Sequence, residues 1–132
     1  MPQILITEQI SLIKRQLKSM IVLSKEEYDL SKNQSLDKDQ RMSYFQQACE
    51  KLYKVVIHFL ELKSGYNIRY HEELYDDQIW KKTGFSLSVM QTITGDLDSV
   101  HRFFYEGGTY PSEIVDSKYR RLYKFLYENV NK

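Results

Sequence analysis

"FQQACEKLYKVVIHFLELKSG", Phe45 to Gly65, decides the fold. Its apolar residues Phe45, Ala48, Cys49, Leu52, Val55, Val56 and Phe59 return every three to four positions. At 3.6 residues per turn that spacing collects them on one side of a helix, whereas the two-residue period of a strand would scatter them over both faces. No glycine or proline interrupts the pattern before Gly65, a residue suited to the left-handed turn that closes a helix. The stretch is therefore a long amphipathic helix ending near Lys63. The rest of the chain has to supply what its apolar face packs against.

The flanking sequence supplies more helices. From Ile6 to Leu30 the residues Ile6, Ile10, Ile13, Leu17, Met20 and Ile21 keep the helical period, predicting one long first helix. Ser24 and Glu27 have capping-box spacing and mark a possible break within it. The polar "SKNQSLDKDQ" is a turn in which Ser35 or Asp37 can cap the second helix. Beyond the connection "GYNIRY", the segment "HEELYDDQIWKKTG" reads as a shorter third helix, acidic at its start and basic at its end, with Trp80 as core anchor. Ser88 with Gln91 can open a fourth helix carrying Met90, Ile93, Leu97, Val100 and Phe104, with "HRFFYEGG" at its end. "GGTYPSE" is then a glycine stop, with Pro111 near the first turn of a fifth helix lined by Val115, Tyr119, Leu122, Leu126 and Val130. No strict alternation or fixed repeat occurs. The expected architecture is all-α, an up-and-down bundle of four to five helices in a single domain over residues 1–132.

Composition narrows the function classes. With 132 residues, 42% hydrophobic and 28% charged, the chain can close one core without disulfides or a structural metal. Its longest apolar runs are far too short to span a bilayer, and "MPQILITEQ" lacks the features of a secretory signal, so a cytoplasmic location is expected, with no membrane partner. The single Cys49 falls on the apolar face and reads as core filler. Net charge of +1 means that any nucleic-acid contact must come from a local patch. Eleven tyrosines are more aromatic surface than one small core needs, which points to a homodimer.

Chemistry-bearing residues are few. His58, His71 and His101 lie on three predicted helices, and without a CxxC or a helical His pair no metal site is expected. No phosphate loop, Ser-nucleophile motif or HExxH occurs, and no cofactor is expected. Gln47, Lys51, Lys54, His58 and Glu61 form a stripe read as a solvated flank. Lys118, Arg120, Arg121 and Lys124, interleaved with Tyr119 and Tyr123, suit phosphate contact and base stacking, although helical spacing turns Tyr119 toward the core. Within "HRFFYEGGTYP", His101, Arg102 and Tyr105 are polar residues that packing does not require.

"FQQACEKLYKVVIHFLELKSG", "YHEEL" and "SVHRFFYEGGTYPSE" together resemble the archaeal PaREP-type family, placed within the HEPN (higher eukaryotes and prokaryotes nucleotide-binding) helical superfamily. The match rests on Gln47, Ala48, Glu50 and Lys51 in the second helix, His71 before the third, and His101, Phe104, Tyr105 and Glu106 in the fourth. The resemblance implies a helical bundle, often dimeric, associated with RNA, nucleotides or toxin and antitoxin pairs. Ribonuclease members share an Arg followed four to six residues later by His. None of Arg15, Arg41, Arg69, Arg102, Arg120 or Arg121 has a His at that distance, so the specific reason for RNA cleavage is missing. The expectation is a non-enzymatic homodimer that binds RNA, a nucleotide or a cognate protein. The alternative is a divergent HEPN-type ribonuclease or toxin. Candidate ligand residues are Glu50, Lys54, His71, His101, Arg102 and Tyr105.

Overall fold

The computed structural model describes residues 2–130. Four long helices carry the fold: α1 (Thr7–Ser31), α2 (Lys38–Ser64), α4 (Leu87–Glu106) and α5 (Glu113–Asn129), with the single-turn α3 (Asp77–Trp80) inside the α2–α4 connection. Cross-helix pairs give the direction of each. Ser24 meets Ala48 and Glu27 meets Lys51, so α1 and α2 run antiparallel. Gln46 meets Phe103 and Glu50 meets His101, Asp96 meets Arg121 and Ser99 meets Lys118, and Tyr28 meets Asp116. The same reversal thus relates α2 to α4, α4 to α5, and α5 back to α1. The result is an all-α up-and-down bundle.

Its core is the face anticipated from Phe45 to Phe59. Ala48, Cys49, Leu52, Val55, Val56 and Leu60 are wholly buried, against Met90, Leu97 and Val100 of α4 and Leu122 and Leu126 of α5. Burial also pushes the Cys49 thiol up, which keeps it an inert apolar filler. Helix ends follow local chemistry. Asp37 and Gln40 form a reciprocal capping box at 2.8 and 3.1 Å, and Gly65 closes α2 at φ +79°. Ser24 does not break α1. It is buried, donating to the Ala48 carbonyl at 2.9 Å and meeting the Tyr119 hydroxyl at 2.7 Å.

Three expectations need correction. "HEELYDDQIWKKTG" is not one helix but a 3-10 turn (His71–Tyr75), the four-residue α3 and a second 3-10 turn (Lys81–Thr83). Asp76 adopts an extended backbone and its carboxylate caps the Gln78 N–H at 2.8 Å, restarting the helical phase. That restart buries Ile79 and leaves Trp80 half-exposed with its indole N–H on Asp77 at 2.9 Å, so Ile79 is the anchor. At the end of α4 the buried phenylalanine is Phe103, packed edge-on against Phe45 with centroids 5.2 Å apart, while Phe104 is half-buried. The caps also shift. Ser86, rather than Ser88, accepts from Val89 to start α4, and Ser112 after Pro111 accepts from Val115 to start α5.

Candidate functional site

The antiparallel seam of α2 and α4, closed at one side by the His71–Tyr75 turn, assembles the candidate ligand residues. Glu50, Tyr53 and Lys54 project from α2, and Asp98, His101, Arg102 and Tyr105 occupy one stripe of α4. His101 stacks on the Tyr53 ring with centroids 4.2 Å apart and 22° between planes. The His71 and His101 rings are 6.2 Å apart, and Tyr105 stands edge-on to His101 at 4.8 Å. The long α2 and α4 separate Glu50, His71 and His101 in sequence, and their crossing reunites them.

His71 is held at both ring nitrogens. Tyr53 Oη lies 3.1 Å from Nδ1, and burial pushes the phenol up to about 12, so the hydroxyl keeps its proton and donates. Nε2 then carries the ring hydrogen toward Asp98 Oδ1 at 3.2 Å and Glu72 Oε1 at 3.3 Å. With 7% of its surface exposed, His71 is a connected structural group with no free nitrogen. His101 differs. Its Nδ1 is buried and lies 3.5 Å from Glu50 Oε2, and neither atom has a hydrogen-bond partner. Glu50 is itself 8% exposed, with Lys54 Nζ 3.8 Å from its other oxygen. The rim is open. Lys54, Arg102 and Tyr105 have side chains in solvent, and Arg102 pairs with Asp98 at 3.1 Å.

Two members of this cluster escaped sequence reasoning. Tyr53 and Asp98 bind His71 from opposite sides, and only the Asp98, His101, Arg102 spacing of three and four hinted at a shared stripe. His58 is elsewhere, 2.7 Å from Glu61. Glu61 also departs from the solvated-flank expectation for its stripe. It is 4% exposed and accepts from the Ile68 N–H at 2.9 Å, fastening the α2–α3 connection. Among the described residues, no group of three or more His, Cys, Asp or Glu is placed to hold a metal ion.

The basic residues of α5 do not act as one patch. Arg121 makes a bidentate pair with the buried Asp96, both bonds 2.6 Å, and Lys118 donates to Ser99 at 2.7 Å, both across to α4. Arg120 pairs with Asp116 at 2.9 Å and Lys124 lies 3.8 Å from Glu128, on the other side of the helix. The spacing that suggested four cooperating cations instead distributes them over two seams.

No protein-family model matches the chain, and no curated protein or solved structure is significantly similar to it.

Proposed function

We propose that the chain is a non-enzymatic, HEPN-like binding protein that takes the phosphate-bearing end of a nucleotide or RNA at the α2–α4 cluster. The observation that carries this reading is the convergence of six separately chosen residues, Glu50, Lys54, His71, His101, Arg102 and Tyr105, around one seam. Arg102 and Lys54 supply exposed cations for phosphate oxygens, and Tyr105 supplies an exposed ring for a base. Binding is favoured over catalysis because both His71 nitrogens are occupied, so the seam offers one open imidazole rather than a general acid and a general base. The test is a titration with adenosine monophosphate followed through the His101 ring resonances by NMR. Saturable shifts that vanish in Arg102→Ala support the reading, and unmoved resonances at millimolar nucleotide reject it.

Homodimerisation belongs to the same proposal. It rests on apolar and aromatic side chains left in solvent, among them Tyr70, Tyr75, Tyr105 and Tyr127. Sedimentation equilibrium showing a strict monomer at high concentration removes it.

The 6.2 Å separation of the two imidazoles, each beside a carboxylate, favours a second reading, a divergent metal-independent ribonuclease. One imidazole would take the proton from the 2′-hydroxyl as it attacks the phosphorus, and the other would protonate the departing 5′-oxygen. An RNA-cleaving activity unchanged in His101→Ala/Arg102→Ala would refute it.

A further inference from the structure

We propose that the groove between α1 and α5 is a docking surface for single-stranded nucleic acid, with bases against a file of tyrosine rings and phosphates between two rows of cations. This lies on a different seam from the nucleotide cluster and does not depend on it.

The floor is aromatic and ordered. Tyr28 and Tyr119 stack with planes 1° apart and centroids 4.4 Å apart. Tyr119 and Tyr123 follow at 16° and 6.5 Å, then Tyr123 and Tyr127 at 14° and 6.2 Å. The α5 members are four residues apart, so each turn repeats the ring orientation. Exposure rises along the file: Tyr119 is buried, Tyr123 half-buried and Tyr127 63% exposed. A flat ring entering between two others needs two stacking distances of about 3.4 Å each, about 6.8 Å in all, close to the spacings found. Small side-chain movements would admit a base.

The banks are basic. Lys25 and Arg120 line the approximately 200 Å³ groove with Tyr28, Tyr119 and Tyr123. On α1, Lys14, Lys18, Lys25 and Lys32 are spaced four, seven and seven, one stripe that borders this groove. Arg120 and Lys124 form the facing row on α5. The acids on these two faces are Asp29, Glu113, Asp116 and Glu128, against six cations, a local excess in a chain of net charge +1. Lys32 and Arg120 share Asp116, Lys25 holds Asp29, and Lys124 lies near Glu128. Lys14 and Lys18 have no ion pair among the described residues, so they are the cations open to a phosphate. Parallel ring faces select a polymer of flat bases, and the charge excess selects an anionic one. A single strand satisfies both, and a duplex hides its base faces.

The test is fluorescence anisotropy of the full chain with fluorescein-labelled twelve-nucleotide oligo(U) and oligo(dT) over a salt series. Binding that weakens with salt is expected for both, and the ratio of their affinities reports whether the 2′-hydroxyl is read. Tyr127→Leu and Tyr123→Leu should each weaken binding about tenfold, while Tyr123→Phe retains it. Lys14→Glu/Lys18→Glu should reduce the logarithmic salt slope by about 1. His101→Ala should leave oligonucleotide binding intact even where it abolishes nucleotide binding at the cluster. No binding, indifference to the tyrosine substitutions, or equal competition by inorganic polyphosphate overturns the proposal. Circular dichroism confirms that each variant keeps its helices, so a loss of binding reports on the groove.

Discussion

His101 Nδ1 faces Glu50 Oε2 across 3.5 Å, and neither atom has a hydrogen-bond partner. A buried carboxylate oxygen without a donor is costly, and its nearest remedy is an imidazole N–H a few tenths of an ångström too far away. The pair sits where the two longest-range demands of the fold meet: α2 must present its apolar face to α4, and its polar edge must end beside it. Replacing His101 with Ala should cost about 1–3 kcal/mol, because it strands the Glu50 carboxylate with only Lys54 nearby. Urea denaturation of Glu50→Gln, His101→Ala and the double variant would measure the coupling. Additive effects would show that the two side chains do not act together.

Tyr53 determines which hydrogen His71 carries. Tyr53→Phe removes the donor to Nδ1 and should cost about 1 kcal/mol of stability. The more diagnostic readout is the His71 ring nitrogen spectrum at neutral pH, which should report an Nε2–H tautomer in the parent. Loss of that tautomer preference in the variant is expected, and an unchanged spectrum would assign the control to Asp98 instead.

Arg121 and Asp96 join α5 to α4, and the two sides of the pair are unequal. Asp96 has a 3% exposed side chain, whereas that of Arg121 is 52% exposed. Arg121→Leu should therefore cost about 2–3 kcal/mol, chiefly through the abandoned Asp96 carboxylate. Adding Asp96→Leu should recover most of that loss, since an apolar pair carries no buried charge. Thermal denaturation of both variants checks the asymmetry.

Asp116 makes the α1–α5 seam sensitive to acid. Burial pushes its carboxyl up, but hydrogen bonds from Lys32 and Tyr28, with the charges of Lys32 and Arg120, outweigh burial and hold it below the usual aspartate value. A carboxyl with a lowered folded value stabilises above the ordinary aspartate value of about 3.9, and that contribution fades as pH falls toward the folded value. Asp116→Asn should lower stability at neutral pH and flatten its loss between about pH 4 and lower pH. An acid limb as steep in Asp116→Asn as in the parent would place the acid sensitivity elsewhere.

The helices were legible because their signals are local. The three-to-four spacing from Phe45 to Phe59, the Asp37 cap and the Gly65 stop each act within a turn or two, and each appears as read. Errors arose where a local signal had two answers. Trp80 and Ile79 are adjacent, as are Phe103 and Phe104, and a restart at Asp76 or the final turn before Gly107 decides which one faces inward. Lys118, Arg120, Arg121 and Lys124 look alike in sequence, yet α5 points them at different neighbours.

By itself the sequence determined an all-α bundle, its long helices, most of its core and the polar residues worth following, because helical periodicity and capping depend on neighbours within one to four positions. The tertiary structure alone decided that Glu50, Tyr53, His71, Asp98 and His101 share one seam and that Tyr28 continues the tyrosine file of α5. Those meetings join residues from 18 to 91 positions apart, and the crossing of packed helices, which no local spacing encodes, sets them.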